Sequence, residues 1–252
     1  MTKERSPKRV KKMRLDELLF TRGLAESISK ARAIIMSGSV SLRGVKVDKA
    51  GFAVAPDAEI ILKQKSPYVG RGGLKLAGLL DETGFSPEGL SAIDVGSSTG
   101  GFTDCLLQRG AILVHAVDVG VGIIDWRLRT DKRVVLHEGT NIRALDASET
   151  GAPLDLAVMD LSFISLKKVL PMMRDFIKSG GRVFALIKPQ FEASREDVGK
   201  GGVVRSSDVQ RAVVEDIKAF SIDSGFTVLS VVESPVKGAK GNREFWIDLE
   251  VL

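Results

Sequence analysis

The chain has 252 residues, 37 Lys and Arg against 32 Asp and Glu, a formal net charge of +5, and 44% hydrophobic content. That supports one large domain, or a large and a small one, and no apolar run approaches the roughly 18 residues needed to span a bilayer. One cysteine, Cys105, and two histidines, His115 and His137, exclude a disulfide framework and any metal site of ordinary ligand spacing, so Cys105 is expected in the core.

The positive charge lies at the front: residues 1–64 hold 14 Lys and Arg but 7 Asp and Glu, while the remainder is slightly acidic. A basic head on a weakly acidic body suggests a polyanionic partner. Residues 1–12 read as a basic tail, for which a solvated, disordered segment is the alternative. No apolar stretch behind them resembles a signal peptide, so a cytoplasmic protein without stable membrane association is expected.

From Met13, Leu15, Leu18 and Leu19 fall on one helical face, and Ile28, Ala31, Ile35 and Met36 on a second helix. Ser39–Leu42 and Val45–Val47 alternate as a hairpin around Arg43-Gly44, with a further strand near residues 59–62. A small α+β module over residues 13–63 follows. Its Arg14-Leu15-Asp16, Ser29-Lys30-Ala31 and Gly38-x-Val40-x-Leu42-x-Gly44 resemble the RNA-binding domain first known from ribosomal small-subunit protein four. The resemblance implies that Arg14, Lys30, Arg32, Arg43 and Lys46 face RNA phosphates, which position a protein without reading bases. Lys30 stands where that family more often has arginine, exchanging a bidentate fork for a point charge.

Residues 64–73, basic and containing Pro67 and three glycines, read as a linker that includes Arg71, a further RNA-facing candidate. A helix over residues 74–80 opens a second domain, 74–252. Strands are predicted at 91–95, 112–117, 133–137, 154–159, 181–187, 226–233 and 244–250, with helices at 101–109, 164–177 and 206–223. The alternation implies a Rossmann-like, doubly wound α/β sheet, closed at one edge by an antiparallel hairpin.

The most informative stretch is Asp94-Val95-Gly96-Ser97-Ser98-Thr99-Gly100-Gly101-Phe102: strand, glycine turn, helix, the place where such a sheet holds a nucleotide-like ligand. Asp118, closing the next strand before Val119, is placed to accept hydrogen bonds from both ribose hydroxyls. The glycines follow G-x-x-x-G-G, neither the dinucleotide pattern nor the triphosphate-gripping one. A ligand with a ribose and no phosphates, such as S-adenosylmethionine, fits best. Gly96, Gly100 and Gly101 would admit its methionine moiety, and Thr140, Asn141 and Ile142 would flank its adenine.

Four polar residues stand where the sheet would gather them. Asp160 follows the strand at 154–159, Lys188 follows 181–187, Glu244 opens the last strand, and Lys75 lies in the segment leading in. In the order Lys75, Asp160, Lys188, Glu244 they resemble the Lys-Asp-Lys-Glu tetrad of the FtsJ/RrmJ ribose 2′-O-methyltransferases. Gly70–Leu76, Met159–Ser165, Lys188–Glu192 and Gly241–Glu244 extend the likeness over nearly the whole chain to the TlyA family of ribosomal RNA 2′-O-methyltransferases, also named haemolysins. The resemblance implies Lys188 at the 2′-oxygen, as a neutral base or as a cation stabilising the alkoxide. Asp160 and Glu244 would orient the lysines, Lys75 would steer the ribose, and the substrate would be ribosomal RNA or a ribosomal subunit, at a cytidine. A non-catalytic assembly factor and a membrane-active haemolysin are the other readings. Residues 192–205 are expected as a flap over the RNA site, with a disordered connector as the alternative. Trp126, Trp246 and His137 are expected as structural, with base stacking as the other reading of the two tryptophans.

Overall fold

A computed structural model describes residues 12–63 and 66–252; the basic tail expected over 1–12 lies, except for Lys12, outside the described residues. The chain divides into two compact units between Lys65 and Ser66.

The first unit runs β1 (Met13–Arg14), α1 (Leu15–Thr21), α2 (Ile28–Met36), β2 (Val40–Leu42), β3 (Val45–Val47), β4 (Ala53–Val54) and β5 (Ile60–Leu62). Ser27 caps α2 by accepting a hydrogen bond from the Lys30 N–H. Arg43 and Gly44, at φ 48° and 80°, make the two-residue turn that pairs Leu42 with Val45. Leu15, Leu18, Leu19, Ala31, Ile35, Val40 and Val54 form its core. The face assigned to α2 is narrower than predicted: Ala31 and Ile35 are buried, but Ile28 and Met36 are exposed, because α2 packs chiefly on the single helix α1, which covers only a narrow stripe.

In the second unit come α3 (Arg71–Thr83), β6 (Ser91–Val95), α4 (Gly101–Gln108), β7 (Leu113–Asp118), α5 (Trp126–Arg129), β8 (Val134–Glu138) and β9 (Leu154–Met159). They are followed by α6 (Met173–Phe176), β10 (Ile177–Ile187), α7 (Pro189–Glu192), α8 (Ser207–Asp223), β11 (Phe226–Glu233) and β12 (Phe245–Val251). The sheet order is β11-β12-β10-β9-β6-β7-β8, parallel from β10 to β8, with β12 antiparallel to both its neighbours. This is the doubly wound sheet with an edge hairpin that the sequence predicts. One face is covered by α3, α4 and α5 through Leu76, Leu79, Phe102, Leu106 and Leu128; the other by α6 and α8 through Met173, Phe176, Val213 and Ile217. Cys105 is fully buried.

Two predicted boundaries fail for physical reasons. The helix expected at 164–177 is two short 3-10 turns, Leu166–Lys168 and Leu170–Met172, followed by the four residues of α6. Pro171 has no N–H to give to an α-helical ladder. Residues 71–73, read as linker because of their glycines, are the first turn of α3. Gly73 is small there because a Cβ would fall 2.3 Å from the Tyr68 ring, and Gly101 of α4 because a Cβ would fall 2.9 Å from the Gly73 nitrogen.

Candidate active site

The chain leaves β6 for α4 on one side of the sheet, and after β8 it returns to place β9 on the other. The carboxyl ends of β6 and β9 therefore flank the crevice where this topology admits ligands. The two ends touch: a Cβ on Gly96, at φ 88°, would lie 2.8 Å from the Asp160 carbonyl oxygen.

Asp118 accepts hydrogen bonds from the N–H groups of Ser98 at 2.8 Å and Gly120 at 2.7 Å, which holds the glycine turn open. A cleft of about 410 Å3 follows, lined by Gly96, Ser98, Asp118, Val119, Thr140, Asn141, Ile142, Asp160 and the loop Leu161-Ser162-Phe163. A smaller recess beside it is lined by Ser97, Thr99, Gly101 and Phe102, with Gly72 and Asp160. Two carboxylates and no cation line the main cleft. That charge balance opposes a phosphorylated ligand and favours a cationic one.

Two of the expected cofactor residues do other work. Asp94 is fully buried and accepts from the Thr103 N–H and hydroxyl at 3.0 and 2.7 Å, pinning α4 to β6. Burial pushes its carboxyl up to about 7. Gly100 faces α5, where a Cβ would lie 2.1 Å from Leu128, so its smallness serves packing rather than a ligand.

The four polar residues meet as an alternating chain of charges. Lys75 donates to Glu244 at 2.6 Å and lies 3.9 Å from Asp160, and Asp160 pairs with Lys188. Lys188 also donates to the Ser162 hydroxyl at 3.1 Å. Lys75, Lys188 and Glu244 are all less than a tenth exposed. Buried ions persist only when paired and hydrogen-bonded, so each of these holds the others in place. Glu244 is seated by Gly238, on which a Cβ would fall 1.9 Å from its Oε1.

Sequence reading missed three contributors. Ser162 contacts Lys188. Phe163 is 92% exposed at the cleft mouth, at φ 63°, with its ring 5.1 Å from that of Phe191. Glu192 accepts from the Ser165 hydroxyl at 2.6 Å and the Leu166 N–H at 2.8 Å, tying α7 to the loop that carries the other two. Ser162 and Phe163 lie directly after Asp160, and that adjacency was the available signal.

Other expectations divide. Lys30, Arg43, Lys46 and Arg71 are exposed. Arg14 and Arg32 converge instead on the fully buried Asp16, Arg14 through two bonds of 2.9 and 2.8 Å and Arg32 through one of 2.9 Å. They hold the Asp16 carboxyl well below the usual range, and only the remaining donors of each guanidinium face outward. Trp246 is buried against Phe102, but Trp126 is 71% exposed and does not pack. It opens a four-residue helix on the surface, where a single turn cannot cover an indole. His137 meets His115 at 3.0 Å. Residues 192–205 include a hydrogen-bonded turn in which Gly199 and Val203 pair. Among the described residues no group of three His, Cys, Asp or Glu side chains could hold a metal, and no helix is long and apolar enough to cross a membrane.

Comparison with known proteins agrees with this geometry. The pattern described as FtsJ-like methyltransferase matches residues 68–250, and the S4 domain matches residues 13–60. The chain belongs to the FtsJ-like methyltransferase family. Within it, the chain is 45% identical to YqxC of Bacillus subtilis, across 95% of this chain and 86% of that protein. It is 38% identical to the 16S/23S rRNA (cytidine-2′-O)-methyltransferase TlyA of Mycobacterium tuberculosis, across 94% and 89%. A solved structure from Streptococcus thermophilus that carries the hemolysin name is 42% identical and superposes with a TM-score of 0.74, covering 96% of this chain and 90% of that one. The FtsJ-like methyltransferase fold thus comes here with an S4 domain in front.

Proposed function

We propose that this protein transfers a methyl group from S-adenosylmethionine to the 2′-oxygen of a cytidine ribose in ribosomal RNA, in the cytoplasm. One observation carries the reading: a cleft lined by two carboxylates and no cation shares Asp160 with a Lys-Asp-Lys-Glu chain. The cleft suits the cofactor chemically. Asp118 keeps acceptor capacity beyond its two backbone bonds, since each carboxylate oxygen has two lone pairs. Ile142, Leu161 and Val119 offer apolar faces for a purine. The TlyA relative, named for cytidine-2′-O-methylation, supplies the substrate class.

When bound, the cofactor supplies a methyl already activated on a sulfonium. The protein then has to align the acceptor oxygen and relieve it of a proton. Lys188, whose partners Asp160 and Ser162 both line the cleft, is assigned to the 2′-oxygen. Asp160 and Ser162 fix its direction, and the 2′-proton goes to the Lys188 amine when that is neutral, or to solvent when its ammonium stabilises the alkoxide. Lys75, clamped by Glu244, presents positive charge to the ribose and its phosphate. Phe163 offers an exposed ring to the target base, for which stacking is worth about 1–3 kcal/mol.

The test is transfer of labelled methyl from S-adenosylmethionine to ribosomal subunits and naked ribosomal RNA from cells lacking this gene. Label in ribose, abolished by Lys188→Ala, is expected. Cofactor binding with no label on any RNA overturns the reading in favour of a non-catalytic assembly factor.

A further inference from the structure

We propose that the two turns at residues 199–205 and 237–242 form one phosphate-binding surface beside the catalytic chain, gripping the RNA backbone that flanks the target ribose. The inference rests on the RNA methyl-transfer reading above.

The two turns are joined through Asn242, which is 3% exposed. Its Nδ2 donates to the Gly202 carbonyl at 2.9 Å, and its Oδ1 accepts from the Val204 N–H at 3.2 Å. Gln210 adds a bond of 2.8 Å to the Val204 carbonyl. The first turn closes on itself between Gly199 and Val203, the second between Gly238 and Asn242 at 2.9 Å. A satisfied buried network of this kind makes two loops move as one body.

On that body stand Lys200, Arg205, Lys237 and Lys240, all exposed. Among the described residues none of the four has an ion-pair or side-chain hydrogen-bond partner. Elsewhere in the same unit exposed arginines are committed, Arg127 to Asp125 and Arg133 to Asp131. Lys200, Arg205 and Ser206 line a shallow recess of about 210 Å3. Its one acid, Asp197, accepts from the Ser194 hydroxyl. The Lys240 amine lies 3.8 Å from where a Cβ on Gly202 would be, so both turns present charge to the same place.

Location and strain identify the occupant. Gly238 presses directly on Glu244, which puts the surface next to the catalytic chain. Lys240 holds φ 60°, a left-handed conformation unfavourable to a residue that carries a side chain. Two other non-glycine residues in that region, Ser98 and Phe163, line the cleft itself. Strain of this kind persists where a side chain has to be aimed. Four uncommitted cations on an open rigid surface neutralise successive phosphates, which gives register on the RNA without reading sequence.

The experiment compares wild type with the fourfold variant Lys200→Ala, Arg205→Ala, Lys237→Ala, Lys240→Ala, and with Lys240→Gly, which removes one charge and relieves the backbone. Binding to naked ribosomal RNA from cells lacking the gene is measured across a salt series, with methyl-transfer kinetics and cofactor affinity alongside. Each lost phosphate contact flattens the salt slope by about 0.7–0.9, so the fourfold variant is expected to lose about 3–3.5 in slope and Lys240→Gly a little under 1. KM for RNA should rise about tenfold or more with kcat and cofactor affinity held, since phosphate contacts position rather than react. Unchanged slope and KM in variants that bind cofactor overturn the proposal while leaving the activity standing. Weakened binding to intact subunits but not to naked RNA overturns it in favour of an acidic protein surface. A wild type that methylates no RNA fails the reading beneath it, and the slope comparison still decides the surface.

Discussion

A single methyl group at position 238 tests the catalytic chain without altering any of its members. In Gly238→Ala the added Cβ would stand 1.9 Å from Glu244 Oε1 and 2.5 Å from its Cδ. Glu244 is 2% exposed, so its carboxylate cannot yield without leaving Lys75, 2.6 Å away. Breaking a buried pair and stranding one charge costs about 3–5 kcal/mol. Lys75 keeps Asp160 at 3.9 Å, which places the loss near the lower end, about 3 kcal/mol. At about 2–4 °C per kcal/mol for a domain of this size, the Tm should fall by roughly 6–12 °C. A displacement of about 1 Å at Lys75 should slow methyl transfer about 100-fold. Calorimetry and single-turnover transfer read the two effects, and cofactor affinity should hold because the cleft lies beyond Asp160. Gly84→Ala is the control: Gly84 sits at φ 66° with nothing within 4 Å, so it should lose about 1 kcal/mol to left-handed strain and no activity. A Gly238→Ala protein with wild-type Tm and rate would refute the seating of Glu244.

Phe163→Gly should cut kcat/KM for RNA by about 5–150-fold, the worth of one stacked base, while the Tm holds or rises as the left-handed φ is relieved; a fall in Tm would show that the ring packs instead. Burial and His137 push His115 down to about 4 from 6.5, so its contribution to stability is present above pH 6.5 and lost as pH falls through 4. The loss is about 3 kcal/mol, and denaturant unfolding of His115→Gln at neutral and acid pH should lack it. Asp94 runs the other way: raised to about 7 from 3.8, it favours the fold below pH 3.8 and loses about 4 kcal/mol as pH rises through 7. Asp94→Asn should remove that dependence, and an unchanged pH–stability curve would disprove the burial of an ionisable group there. Asp16→Asn should destabilise the N-terminal unit by freeing Arg14 and Arg32 from their shared anchor, read as an earlier unfolding step by hydrogen exchange.

The parallel strands were legible because apolar runs end at polar residues: Asp118 closes β7, and Asp160 and Lys188 directly follow β9 and β10. That Asp160, Lys188 and Glu244 meet was legible for the same reason, since strand ends in one sheet converge; Lys75 joins them from α3. What local pattern could not show were contacts made across the fold. Arg14 reaches Asp16 locally, two residues away, but Arg32 looks free in a basic segment and only the packing of α2 against α1 brings it to the same carboxylate. Gly100 and Gly101 look like ligand glycines, yet what crowds them is Leu128 from α5 and the backbone of α3. The stretch 164–177 has helical spacing, but Pro171 breaks its ladder and Glu192 holds its start from another element.

Asp160 is where the two halves of the site become one. Its carboxylate lines the cleft and also lies between Lys188 and Lys75, so the charge that faces a cationic ligand is the charge that orients the two cations. A half-buried carboxylate flanked by two lysines and one further carboxylate balances charge within the group, which is how four such side chains coexist with so little solvent. The arrangement is directional: Glu244 and Gly238 brace one end, and Ser162, with Glu192 behind its loop, braces the other. Between those braces the lysines have little freedom to relax, which is the preorganisation the proposed transfer requires.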